Sequence, residues 1–291
     1  MIGLKRGDVS LYDHENEWDT EGERTVNELF EILGGDARDI QHIGSTSVKS
    51  IKAKPIIDIA VAADSFERIL SHENELLQSG YHYRPDKTTD GEQLLFAKGS
   101  YYEGGDMQTH FIHVVKYNSM QWRNYINFRD FLNAFPEKAK QYESVKTGLV
   151  EKLGSVGSRN GYVEGKAEFI SRILRKATAW SFLGKTVTME TDRPIGYVHR
   201  KSGYELVYPL NYGYIPSVLG GDGEELDVYL IGVNESVERF TGRIIGIAHR
   251  ENDIEDKLIM APPDKKFTRD EVERAVHFQE QYYNTQIELI E

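Results

Sequence analysis

"NYGYIPSVLGGDGEELDVYLIG", residues 211 to 232, places a Tyr-Gly-Tyr turn ahead of four acids, Asp222, Glu224, Glu225 and Asp227, packed into six positions, and then runs into an apolar strand. Carboxylates so close repel one another, and a Gly-rich turn exposes them, so the cluster costs stability unless cations neutralise it. Hard divalent ions suit it: magnesium takes oxygen ligands, keeps several waters and bridges carboxylates to phosphate oxygens. The plainer reading is a solvated acidic loop, which is what most charge runs are. Taken alone, these residues leave both readings open.

Outward from this stretch the pattern is that of short strands. GKTVTMETDRP, YELVYPLNYGYIP, LDVYLIGV, GRIIGIAHR and DKLIMAPP are brief β-like runs parted by Gly, Pro and Asp, and TRDEVERAVHFQEQYYN near the end reads as a helix. Strands at this spacing predict a small barrel followed by a C-terminal helix. Before about residue 183 the texture differs. DTEGERTVNELFEIL, 19 to 33, puts Val26, Leu29, Phe30 and Leu33 on one helical face. A Gly-Ser-Thr-Ser turn then separates two apolar runs within 39 to 64, and SFERILSHENELLQSG reads as one helix from a Ser65 cap to a Gly80 stop. LLFAKG and MQTHFIHVVK alternate as strands do, and helices are expected over 119 to 134, 136 to 153 and 161 to 180. The expected architecture is two domains: an N-terminal α/β domain over 1–180, a mixed sheet with helices, and the barrel over 183–291.

Thirty-five basic against forty-seven acidic residues give a formal charge of −12, which disfavours nucleic acid and anionic membranes as partners. The absence of cysteine excludes disulfides, thiolate nucleophiles and sulfur-ligated zinc. No apolar run approaches the roughly 18 residues of a membrane span, so a soluble cytoplasmic protein is expected.

The order YPLNYGYIP, DGEELDVYLIG, EDKLIMAP resembles the family I inorganic pyrophosphatases, whose pattern runs YPxNYGYIPxT, DGDPLDV and then an acidic strand with a lysine. The resemblance covers roughly 185 to 285 and implies an OB-type barrel that hydrolyses pyrophosphate with several magnesium ions. It implies that Asp222 and Asp227 bind metal, that Glu224 stands where the water-activating aspartate does, and that Tyr212 and Lys257 belong to the site. Glu190 aligns with an early metal-facing glutamate, Glu255 and Asp253 are the candidate acids beside Lys257, and Tyr282 fits a phosphate-contacting tyrosine. This chain departs from the pattern in its cations: the segment before YPLNYGY is short, leaving Arg193 and Arg200 as the nearby candidates for phosphate, and the lysine after the final tyrosine is Tyr283. Glu for Asp at 224 adds a methylene, a shift of about 1 Å that can cost on the order of 10²-fold in rate.

HIGSTSV followed by KPIIDIAV, then HFIHVVK, WRNYINFRDFL and YESVKTGLVEKLG, resembles the GrpB family, which looks like a branch of the nucleotidyltransferases. That resemblance spans about 5 to 178. It implies a Gly44–Ser45 turn that cradles phosphates and Asp58 as a magnesium ligand, although position 60, where a second acid belongs, is alanine. Lys54, Arg123 and Arg129 are the cations placed to meet phosphate. His110 and His113, three apart on a strand, point to opposite faces and read as core or hydrogen-bonding residues rather than metal ligands. Two functions follow. One is a bifunctional enzyme whose magnesium-dependent diphosphatase removes the pyrophosphate that nucleotidyl transfer releases. The other is a regulatory protein that binds nucleotide or diphosphate at two degenerate sites without turnover.

Overall fold

The computed structural model describes residues 1–88, 91–153, 159–201, 203–220, 223–253 and 255–290. These fall into two units, Met1–Ser171 and Arg172–Glu291. In chain order the first carries β1 (Leu4–Lys5), α1 (Asn16–Leu33), β2 (Ala37–Ile43), β3 (Ile57–Ala63), α2 (Phe66–Ser71), α3 (Glu73–Gln78), β4 (His82–Tyr83), β5 (Gln93–Lys98), β6 (Met107–Gln108), β7 (His110–Lys116), α4 (Met120–Ala134) and α5 (Pro136–Leu153). Helix α6 (Arg159–Phe182) leads into the second unit, where β8 (Thr186–Arg193), β9 (Val198–Lys201), β10 (Tyr204–Val207), β11 (Asn211–Leu219), β12 (Glu225–Leu230), β13 (Arg239–Arg250), β14 (Lys257–Ala261), α7 (Arg269–Glu280) and β15 (Thr285–Leu289) follow.

The first unit is the expected α/β arrangement. Its five-stranded sheet runs β2-β3-β7-β5-β4, with β3 and β7 parallel and the other neighbours antiparallel. One apolar cluster joins Ile57, Ile59, Val61, Ile112 and Val114 to Trp18, Leu29 and Leu33 of α1, and a second joins Ile43, Ala60, Ala62 and Val115 to Trp122 of α4. Alternation along β3 thus feeds helices on both faces. Helix α1 begins three residues earlier than its periodicity suggests, and its inner face is Trp18, Gly22, Thr25, Leu29 and Leu33, while Phe30 is exposed. The reason is local: a Cβ at position 22 would meet the His42 ring at 2.3 Å, so only glycine lets the helix lie this close to β2. The single helix expected after Ser65 is two, α2 and α3, broken at His72, where ψ is 11°. Ser65 does cap the first, accepting from the Arg68 amide at 3.3 Å.

The second unit is a closed five-stranded barrel. Its strands run β14-β12-β11-β8-β13, β13 also pairs with β14 to complete the ring, and β15 adds to the outer edge of β13. The pair β12–β14 is parallel and the other contacts of the ring are antiparallel. Met189, Val228, Leu230, Ile244, Ile247, Leu258 and Met260 form one apolar cluster, and Tyr208, Tyr212, Tyr229 and Ile259 form another under Val272 and Val276 of α7. That helix opens with a capping box, Thr268 with Glu271, the arrangement that satisfies its first amides. Strands β9 and β10 form a separate hairpin. None of the described helices is long and apolar enough to cross a membrane.

Gly213 decides how closely β11 approaches β8. A Cβ there would fall 1.8 Å from the Glu190 carbonyl oxygen, a backbone atom that cannot swing aside. The ladder shifts register at this point, between Tyr212↔Arg193 and Gly213↔Thr191. Gly213→Ala is expected to destabilise the barrel by about 3 kcal/mol, the upper range for overpacking. Urea unfolding followed by tyrosine fluorescence measures this, and an unchanged midpoint would contradict the account.

Candidate active site

The barrel carries a cavity of about 640 Å³ whose lining includes Arg193, Tyr208, Tyr212, Asp227, Arg250, Asp253, Glu255, Lys257, Tyr282 and Tyr283. The parallel register sets Val228 opposite Leu258, so Asp227 and Lys257 stand side by side one step earlier. The Lys257 ammonium, 4% exposed, donates to Asp227 Oδ2 and to Glu255 Oε2. Burial alone would lower its pKa, but the two carboxylates outweigh burial and hold it above its ordinary value. Tyr212, buried under the same carboxylate, donates its hydroxyl to Asp227 Oδ2. Burial and then the Asp227 charge push that hydroxyl well above the usual tyrosine range, so it stays protonated and a donor.

Two guanidinium groups complete the lining. Arg193 donates to the Tyr208 hydroxyl at 2.7 Å and lies 5.0 Å from the centre of the Tyr212 ring. Arg250, at the end of β13 and 4% exposed, binds Glu280 at 2.6 Å and Asp253 at 2.9 Å, and its Cζ lies 3.6 Å from the centre of the Tyr283 ring. The sequence reading omitted Arg250, Tyr208, His199 and Gln279, all of which line the cavity. Arg250 carries no motif; its one signal is that it ends an apolar run seven positions before Lys257.

Five of the expected metal or catalytic residues, Tyr212, Asp227, Asp253, Glu255 and Lys257, therefore face one cavity, as do Arg193 and Tyr282 of the expected phosphate contacts. Three others stand apart. Glu190 is held by Tyr214 at 3.1 Å and by Arg239, and Tyr214 pairs with Glu190 on one side and Asp227 on the other, so a whole strand lies between the two acids. Arg200 lies outside the cavity lining because its hairpin partner Glu205 holds it at 3.0 Å, with both side chains largely exposed. Glu224 is exposed in the turn before β12, its carbonyl accepting from Gly220 at 2.7 Å. Asp222 lies outside the described residues.

Carboxylate oxygens are the donors magnesium prefers, and Asp227, Asp253 and Glu255 supply them to one cavity. In donor type the lining fits that ion. Among the described residues no three acids or histidines converge tightly enough to hold an ion between them, because Lys257 and Arg250 already engage these oxygens.

In the first unit, Gly44 has a φ of +73° and its absent Cβ would lie 2.6 Å from Asp58 Oδ2, so the turn and the carboxylate are in contact. His113 shares that face: its Nε2 is 3.4 Å from Asp58 Oδ1 and its Nδ1 is 3.5 Å from the Tyr125 hydroxyl. Neither partner was foreseen: the Asp58 contact follows from the β3–β7 register, which sets Ala60 beside His113, and Tyr125 comes from α4. His110 faces the opposite core, bound to Glu21 at 3.0 Å, and burial lowers its pKa to about 4. Ser45 begins the short turn after Gly44, and Lys54 caps the Tyr162 ring at 4.2 Å. Arg123 and Arg129 lie on α4, where Arg129 is tied to Gln41 at 2.9 Å and to the His42 carbonyl at 3.0 Å.

Fold and sites define a two-part protein, an α/β domain with a Gly-Ser turn against an aspartate and a closed barrel with an acid- and arginine-lined cavity. Residues 8–176 match the family model described as GrpB protein, and residues 183–288 match inorganic pyrophosphatase. The chain belongs to the GrpB family, with a pyrophosphatase domain joined to it. It is 37% identical over 177 residues to the glutamate-rich protein GrpB of Alkalihalophilus pseudofirmus, covering 60% of this chain and 99% of that protein. The crystal structure of GrpB from Enterococcus faecalis shares 27% identity and a TM-score of 0.52 over 58% of this chain and 96% of that one. An inorganic pyrophosphatase of Saccharolobus solfataricus is 37% identical over 90 residues, 29% of this chain and 52% of that protein.

His249 ties the barrel's outer strands through Asp256 at 2.6 Å and Glu288 of β15 at 2.8 Å. Burial lowers its pKa, yet the two carboxylate hydrogen bonds prevail and raise it from 6.5 to about 9. A raised pKa means stabilisation that is complete below 6.5 and lost as pH climbs through about 9. Thermal unfolding of the chain across that interval should show the barrel losing about 3 kcal/mol, and His249→Gln should flatten the profile.

Proposed function

We propose that the barrel hydrolyses pyrophosphate, or a related phosphoanhydride, with magnesium, and that the N-terminal domain binds a nucleotide or another phosphorylated ligand. The observation that carries the first part is the half-buried Asp227 held by buried Tyr212 and Lys257 in a cavity shared with Glu255, Asp253 and Arg193. Asp227, Glu255 and Asp253, with Asp222, five positions before Asp227 in the sequence, would hold the ions. When bound, magnesium neutralises phosphate oxygens and makes water a stronger nucleophile. Lys257 and Tyr212 fix the Asp227 carboxylate by two donors on one oxygen, so its orientation is set before substrate arrives. Arg193, its guanidinium steadied by Tyr208, is positioned to neutralise a phosphate, and Tyr282 stands on the cavity lining as a further contact. Glu224, three residues before Asp227 on the exposed turn, is the proposed acceptor of the water's proton, a role set by hydrogen-bond reach. Glu190 is left out of this set.

In the N-terminal domain Asp58 faces His113 and Ala60 where further acids would be needed for two ions. This favours binding over transfer chemistry there, with Gly44, Ser45 and Lys54 as the phosphate contacts.

The full chain should release phosphate from pyrophosphate when magnesium is present, stop on chelation and recover on its return. Asp227→Asn should cut the rate by about 10²-fold or more; full activity in that variant would remove the proposal. Calorimetry with adenosine triphosphate and magnesium should show binding without product at the N-terminal domain, weakened about tenfold by Asp58→Ala as an ion-ligating carboxylate is lost. Equal affinity in the variant would refute that assignment.

A further inference from the structure

Lysines gather in one part of the first unit. Lys146 of α5 is 1% exposed, and its ammonium donates to the Lys52 carbonyl at 2.5 Å and lies 4.6 Å from the centre of the Tyr142 ring. Lys54, on the segment before β3, and Lys166 of α6 stand over a second ring, that of buried Tyr162, at 4.2 Å and 5.3 Å. Both charges reach Lys146. Burial and then Lys166, with smaller pushes from Lys54 and from Lys140 of its own helix, outweigh the pull of Glu143 and bring the Lys146 pKa from 10.5 down to about 7.

The acids near these groups do not balance them. Glu143 is shared, since its carboxylate also accepts from Lys140 at 3.1 Å and from the Lys52 amide at 2.6 Å. Among the described residues neither Lys146 nor Lys166 is ion-paired with a carboxylate. This occurs in a chain with forty-seven acids to thirty-five bases, so composition does not account for it. Like charges crowded into a poorly solvated place repel one another, and an anion among them reverses that cost. Ammonium groups are point charges with three donors each, a chemistry suited to phosphate oxygens. Several of them match a chain of phosphates better than a single one.

We infer that Lys54 and Lys166, with Lys146 behind them, form a recognition site for a triphosphate group, carried by a nucleotide or by free tripolyphosphate. The inference deepens the reading of the N-terminal domain as a binder of phosphorylated ligands and needs no ion at Asp58. A consequence concerns protons. The groups acting on Lys146 are Lys140 and Glu143 on α5, Lys166 from α6 and Lys54 from the loop, while burial pushes the Tyr162 hydroxyl up and keeps it neutral. A bound anion opposes the repulsion among the lysines, so Lys146 takes up a proton as the site fills.

Titration calorimetry on the full chain in metal-free buffer at pH 8 compares tripolyphosphate, ATP and AMP. Without ions the barrel's carboxylates repel all three. Tripolyphosphate and ATP should bind about tenfold or more tighter than AMP, and Lys166→Met should weaken tripolyphosphate by about tenfold. Buffers of different ionisation enthalpy should show the unaltered chain taking up about one proton more per ATP than Lys146→Met does. If Lys166→Met leaves tripolyphosphate affinity unchanged while Asp58→Ala still weakens ATP with magnesium, this inference falls and the nucleotide-binding reading stands. Absence of binding by all three, and by ATP with magnesium, overturns both. AMP binding as tightly as ATP overturns the triphosphate preference, and equal proton uptake in Lys146→Met overturns the part given to the buried amine.

Discussion

A lysine ammonium buried between two carboxylates is the interaction on which the barrel's chemistry depends. Taking Lys257 and Glu255 out of water is costly, and removing one partner strands the others as unpaired buried charges. The trio with Asp227 therefore holds only when complete. Its geometry follows from topology: β12 and β14 are the ring's one parallel pair, and their register brings positions 227 and 257 abreast. Tyr212 on β11 adds a third strand to the same carboxylate. The site is thus located where three strands agree, which is why its orientation survives without help from loops.

Close backbone approach is the second recurring device. Gly213 lets β11 press on the Glu190 carbonyl, and Gly44 lets the Ser45 turn press on the Asp58 carboxylate. In each domain a missing side chain lets two segments beside the candidate site pack directly against each other. Any larger residue would separate them by the width of a methyl group, and packed interiors do not absorb that without strain.

Much of this was legible in the residues. Alternation and turn chemistry reveal both architectures, since short β runs broken by Gly and Pro close into a barrel while strand-helix alternation builds a covered sheet. NYGY, DGEELD and EDKL put Tyr212, Asp227, Glu255 and Lys257 on the page because the motifs lie within local strands. What could not be read depends on register between distant strands. Arg250 meets Glu280 thirty residues later, and His113 meets Asp58 fifty-five residues earlier. The displacement of Glu190 by Tyr214 is likewise a property of three paired strands and not of the glutamate's own segment. Helix α1 shows the same limit at smaller scale: its period is plain, but its inner face is settled by contact with His42.

The ring closure has a kinetic side. Strand β8 pairs with β11 and with β13, so that Glu190 must find both Tyr214 and Arg239, and β14 must find β12 as well as β13. Contacts this far apart along the chain form slowly because each closes a long loop. Until the ring is complete, β8 and β12 present bare amide and carbonyl edges, the surfaces on which half-folded chains recruit one another. A ring that has not yet closed is therefore the state of this barrel that leaves strand edges unpaired.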